Sequence, residues 1–268
     1  MKNISKCLAA ILLVVNLSSC VDLEPEPLSF FAPENTFMDK EGLEALLITS
    51  RKQIKWEWFG DAFNAGYCET PLVYEYAWSD VSVMGAPEVK EIHNLETQLT
   101  PTTSMALHLR YWDLAWNGIK YANTVISRVP KSTIDNETDK NELLAEGYFH
   151  RAYWYYLLVN QWGDVPLLLE EITEPKLDFY TVSRMKILQQ MKTDMEFAVK
   201  WLPKNVKPGC VNRAAGEHLL AKIYLSTGDF QLAVDATTRC INDYGLHLMK
   251  ERFGVNAEDA SLDVFNDL

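Results

Sequence analysis

Residues 212–245 read NRAAGEHLLAKIYLSTGDFQLAVDATTRCINDYG, and the rest of the chain can be placed from them. Ala221, Tyr224, Gly228, Ala233, Thr237 and Cys240 follow at steps of three, four, five, four and three. These are helical steps with a glycine corner between them, so the stretch predicts two helices packed through small residues. Asn212 is placed to cap the first helix with its side-chain oxygen. Gly228 tolerates the left-handed turn that ends it. Asp229 is the expected cap of the second helix. The apolar stripe expected to face inward there is Phe230, Ala233, Val234, Thr237 and Ile241. Gly245 stops that helix. Such a hairpin leaves one face open, so it implies neighbouring hairpins.

Upstream, the same period recurs. Residues 104–129 carry Trp112, Trp116, Ile119, Asn123 and Ile126 at helical spacing, and Pro130 ends the helix. Residues 142–162 form a second helix, dense in aromatics, broken by Gly163-Asp164-Val165-Pro166. An extended segment, 167–178, leads to a helix over 181–202. It turns Ile187, Met191, Met195, Ala198 and Leu202 inward and stops at Pro203. An earlier helix is expected over 35–50. The result is an all-α, tetratricopeptide-like helical repeat with no sheet beyond a short hairpin. An ordinary helix pair in another all-α fold is the alternative.

From Lys52 to Leu99 the polarity is mixed, with Gly60, Gly66, Gly85, Pro71 and Pro87; the stretch reads as helix and then, over 68–103, as a long irregular excursion. Excursions of that length inside a compact domain are usually functional. Trp112, Trp116 and Trp154 sit at helical spacing and are expected in the core. The carboxylates Glu57/Asp61 and Glu170/Glu171 read as solvated faces, and Glu146 with His150 as a helix-surface pair.

Composition excludes several classes. Nearly half of the 268 residues are apolar, with eight Trp and twelve Tyr, so the chain has the material for a sizeable core. A net charge of −12 opposes binding to nucleic acid or to an anionic lipid surface. No nucleophile elbow, HExxH, P-loop or dinucleotide fingerprint occurs, and the five histidines are scattered. With no CxxC and no His pair at ligand spacing, no metal or cofactor is expected.

The N-terminus has its own signal. Lys2 and Lys6 precede an apolar run, residues 8–17, too short to span a bilayer. Leu17-Ser18-Ser19-Cys20 then resembles a bacterial lipobox. Residues 1–19 therefore read as a lipoprotein signal peptide, with Cys20 as the acylated first residue of the mature chain. Residues 20–34, rich in Pro and acids, form an extended tether, and the helical domain takes 35–268.

Several motifs together resemble one family. Arg151-Ala152, Tyr155 and Leu158, followed by Trp162-Gly163-Asp164-Val165-Pro166-Leu167, are similar to the first signature of the SusD/RagB family, nutrient-binding lipoproteins of Bacteroidetes. Arg213-Ala214-Ala215 with residues 220–225, LAKIYL, resembles its second signature, with Asn212 where Gly is commoner. Tyr121-Ala122-Asn123 and the lipobox also fit. The resemblance implies a lipid-anchored, surface-exposed outer-membrane lipoprotein that holds a glycan over a SusC-like, TonB-dependent porin. It further implies a binder and not an enzyme. The acids after Cys20 resemble the export signal to the outer face of the outer membrane; a plain linker is the alternative. By position, Trp78 with Asp80 corresponds to the family's sugar-stacking tryptophan and a hydroxyl acceptor, or else Trp78 lids the helical core. Family members are about twice this length. The chain thus resembles an N-terminal half, and a protein–protein adaptor or a non-functional fragment is the alternative function.

Overall fold

The computed structural model describes residues 37–59 and 106–246. The chain divides into two compact units, Met1–Thr36 and Phe37–Leu268, and every described residue belongs to the second. The signal peptide, Cys20, the acidic tether, the 68–103 excursion with Trp78 and Asp80, and the residues after 246 lie outside the described residues.

Six α-helices make up the described part: α1 (Lys40–Phe59), α2 (Ala106–Arg128), α3 (Glu137–Gln161), α4 (Arg184–Trp201), α5 (Arg213–Thr227) and α6 (Phe230–Asn242). A 3-10 turn, Val129–Lys131, follows α2. The sole strand pairing among the described residues is antiparallel, β1 (Val165–Pro166) with β2 (Thr181–Val182). Each helix from α2 onward packs on the next, and α1 packs on α2 and more lightly on α3. This is the stacked-hairpin architecture that the 3.6-residue period predicts.

Capping sets the boundaries, and it explains where the sequence reading was off. Asp39 accepts the Gly42 N–H at 2.8 Å, so α1 begins at Lys40, and the helices expected over 35–50 and from Lys52 are one, running to Phe59. Asn136 accepts from the Thr138 N–H at 2.9 Å, which starts α3 five residues before the expected Glu142. Thr181 and Val182 are drawn into the strand pair, so α4 starts at Arg184. Its Ser183 cap makes no side-chain bond; Asp164, from the break after α3, accepts the Arg184 N–H at 2.8 Å instead. Asn212 caps α5 as expected, 2.9 Å from the Ala215 N–H, and Gly228 takes φ +83°.

The main core runs from α2 to α6. Trp154, Tyr155, Leu158, Ile187, Leu188, Met191 and Met195 are fully buried in it. Gly118 is required there, because a Cβ at that position would lie inside the Trp154 indole. A second cluster joins Leu43, Leu46 and Leu47 of α1 to Val125, Val129 and Leu143.

The last helix departs from expectation. Only Ala233 and Ala236 of α6 are buried. Phe230, Val234 and Ile241, expected inward, are 66%, 57% and 63% exposed. Two alanines suffice for close packing on α5, and the bulkier apolar residues point the other way. Asp229 precedes α6 without capping it; its carboxylate instead accepts from Lys192 at 2.8 Å and from Thr227 at 2.7 Å.

Candidate functional site

One face of α2 and the segment that follows α3 enclose a groove of about 610 Å³. The α2 wall is Trp112, Trp116, Ile119, Lys120, Asn123 and Thr124, which recur at the spacing of a single helical face. The opposite wall is Pro166, Leu168, Glu170, Glu171, Ile172 and Phe179. Trp112 and Trp116 are therefore half-buried at a groove, not core residues as the spacing implied; Trp154 is the one that is fully buried. Their rings are held by edge contacts. Trp112 meets Trp162 at 5.3 Å between centroids, Trp116 meets Tyr155 at 6.0 Å, and the two pack on each other at 5.4 Å.

Beyond Pro166 at the end of β1, the second wall has no regular structure, so its backbone polar groups must be satisfied by side chains. Tyr155 accepts the Leu168 N–H at 2.6 Å. Asn123 donates to the Leu168 carbonyl at 2.9 Å, and Arg151 to the Leu169 carbonyl at 2.8 Å. Ser127 accepts the Glu171 N–H at 3.0 Å. Arg128 forks onto the Glu171 carboxylate at 2.9 and 2.6 Å. These contacts turn the segment into a strap fixed across α2 and α3. Arg151 is the hub: buried, it also forks onto Asp194 of α4 at 2.7 and 2.9 Å and donates to Asn123 Oδ1 at 3.1 Å. Burial pushes the Tyr155 hydroxyl pKa well above its usual value, which keeps it a neutral donor and acceptor. Arg151 and Tyr155 belong to the first signature quoted above, and their work is to hold the strap.

Glu171 is thus half of an ion pair, not a solvated face. Two other carboxylate readings are corrected as well. Glu57 is buried and accepts from the hydroxyls of Tyr153 at 2.6 Å and Tyr111 at 3.2 Å. Glu146 and His150 are buried too, 3.4 Å apart, and Arg51 of α1 forks onto Glu146 at 2.5 and 2.8 Å. Burial alone would raise the Glu146 pKa. Hydrogen bonds from His150 and Arg51 outweigh it and hold the carboxyl at about 2. These groups join α1 to α3 and do not line the groove. The missed signal was in the sequence: over residues 143–159, where aliphatic and aromatic residues dominate, Glu146, His150 and Arg151 have no broad polar face to occupy.

Among the described residues, no group of three or more His, Cys, Asp or Glu is placed to hold a metal ion. No described helix is long and apolar enough to cross a membrane. Cys210 and Cys240 carry free thiols. Trp78, Asp80 and Cys20, the site residues expected from sequence, lie outside the described residues. What the described site offers is a rigid, aromatic-floored groove with polar groups at its edge, on a stack of helical hairpins.

Fold and groove together define a helical-repeat scaffold with an aromatic-floored groove on one side. The chain belongs to the SusD-like family: the family model described as "starch-binding associating with outer membrane" matches residues 68–225. SusD-like protein P2 of Formosa agariphila is 27% identical over 238 residues, covering 87% of this chain but 45% of the relative. A SusD superfamily protein from Bacteroides vulgatus superposes with a TM-score of 0.68 at 20% identity, over 80% of this chain and 46% of that one. A laminarin-binding SusD-like protein gives 0.61 at 20% identity, over 78% and 46%. The chain spans less than half the length of these relatives.

Proposed function

We propose that this protein is a cell-surface lipoprotein that binds a glycan, without transforming it, and passes it to a SusC-like, TonB-dependent porin in the outer membrane. The observation that carries the reading is the family match over residues 68–225, which takes in Trp78, Asp80, the strap and both signatures. Trp78 supplies a flat aromatic face for the C–H side of a sugar ring, and Asp80 accepts from its hydroxyls. Cys20 carries the lipid anchor. Each buried CH₂ of an acyl chain contributes about 0.8 kcal/mol, so more than one chain holds the protein firmly. Residues 20–34 are the tether that lifts the scaffold off the membrane.

Three measurements test it. Titration calorimetry of the protein with host and plant polysaccharides should show binding that weakens in Trp78→Ala. A protein that binds none of them is not a glycan receptor. Cys20→Ala should move the protein from the outer-membrane fraction to the soluble one. A variant that still sediments with membranes after a salt wash removes the lipid-anchor reading. Co-purification of a large β-barrel protein with the wild type is the expected sign of the porin.

A further inference from the structure

The groove between α2 and the strap is built from residues other than Trp78 and Asp80, and we propose that it is a second sugar site, taking a ring of an uncharged oligosaccharide. The inference rests on the glycan-binding reading above. Its volume, about 610 Å³, falls within the ordinary range for small-ligand pockets, ~300–1,000 Å³. Trp112 and Trp116 offer aromatic surface whose orientation is already set by Trp162 and Tyr155, so little side-chain freedom is lost on binding. Phe179, exposed, stands on the strap wall. A pyranose has apolar C–H faces and a polar equator, which asks for aromatic walls and hydrogen-bonding groups at the rim.

The polar groups of the groove divide accordingly. Asn123, Thr124 and Glu171 are committed to the protein, through the Leu168 carbonyl, the Lys120 carbonyl and Arg128. Lys120 on α2 and Glu170 on the strap are exposed, and neither side chain has an ion-pair or hydrogen-bond partner among the described residues. One is a donor and the other an acceptor, on opposite walls. A neutral ring of hydroxyls satisfies both walls at once, whereas a carboxylated sugar pairs with Lys120 but leaves Glu170 facing like charge, and an amino sugar does the reverse. The strap does not have to order on binding, because Tyr155, Asn123, Arg151, Ser127 and Arg128 already hold it.

The test uses the full chain with maltohexaose, laminarihexaose and, as the charged probe, a galacturonic acid hexamer. Lys120→Ala with Phe179→Ala changes two exposed side chains and leaves the core intact. In a Trp78→Ala background, a neutral hexaose should still bind, and the double change should weaken that binding at least fivefold. The same hexaose should protect Trp112 and Trp116 from hydroxyl-radical oxidation. Unchanged affinity in the double variant, unprotected Trp112 and Trp116, or a galacturonic hexamer bound as tightly as the neutral ones would overturn the proposal. If Trp78→Ala alone abolishes binding, the glycan-receptor reading stands and the second site falls. If the wild type binds no glycan, both fall.

Discussion

At the scale of single residues, the charged groups inside this protein matter most. Glu146 is held at about 2 by His150 and Arg51 against its burial. The sign follows from linkage: a carboxylate depressed in the folded state contributes stability above its unfolded pKa, about 4.5, and loses it as pH falls toward 2. The depression corresponds to something on the order of 3 kcal/mol. Thermal melts between pH 6 and 2 should show a steep loss below pH 4.5 in the wild type and a flatter profile, from a lower starting point, in Glu146→Gln. Parallel profiles would mean the carboxylate is not carrying the acid sensitivity. Arg151 is the second case. Arg151→Ala leaves Asp194 buried with its fork partner gone, which should cost about 3–5 kcal/mol in chemical denaturation. Arg151→Lys should recover only part, since an ammonium cannot fork onto Asp194 and also reach Asn123 and the strap. Faster amide exchange at Leu168 in the lysine variant would tie the loss to the strap.

At the scale of elements, the hairpin of α5 and α6 shows which positions tolerate change. Gly228 has open space around it but φ +83°, so the constraint is the backbone and not packing. Gly228→Val should cost about 1–3 kcal/mol, seen as a lowered melting temperature with the helical circular-dichroism signal retained below it. A wild-type melting temperature would contradict the left-handed corner. Gly118 is the opposite case, with an ordinary helical backbone and no room beside Trp154. The strap is an element of a third kind. It has no repeating structure, and its shape comes from side chains on α2 and α3 that reach its backbone.

At the scale of the whole molecule, the stack presents apolar surface on α6. Phe230, Val234 and Ile241, with Leu225 of α5, are more than half exposed, while Ala233 and Ala236 make the inner contact. Apolar surface gathered on one face is a sticky patch wherever it stays open to water. Phe230→Lys with Val234→Lys should therefore lower the fluorescence of a bound hydrophobic dye severalfold. The melting temperature should change little, because neither side chain is part of the core. Unchanged dye binding would place the sticky surface elsewhere.

How much of this was legible beforehand depended on whether the cause was local. Asn212, Gly228 and the inward face of α4 could be read directly, because caps, left-handed corners and a 3.6-residue stripe are properties of adjacent residues. The family signatures were legible for the same reason. Four features were not. The outward turn of Phe230 and Val234, the half-exposure of Trp112 and Trp116, the burial of Glu57 and Glu146, and the role of Arg151 as hub depend on neighbours distant in sequence; Arg151 reaches Leu169 18 residues on, and Tyr153 meets Glu57 across 96. An amphipathic pattern says that a helix has two faces, but which face is covered is decided by the neighbour that arrives. A buried carboxylate looks the same in sequence as a solvated one until the tyrosine or arginine that satisfies it is in place.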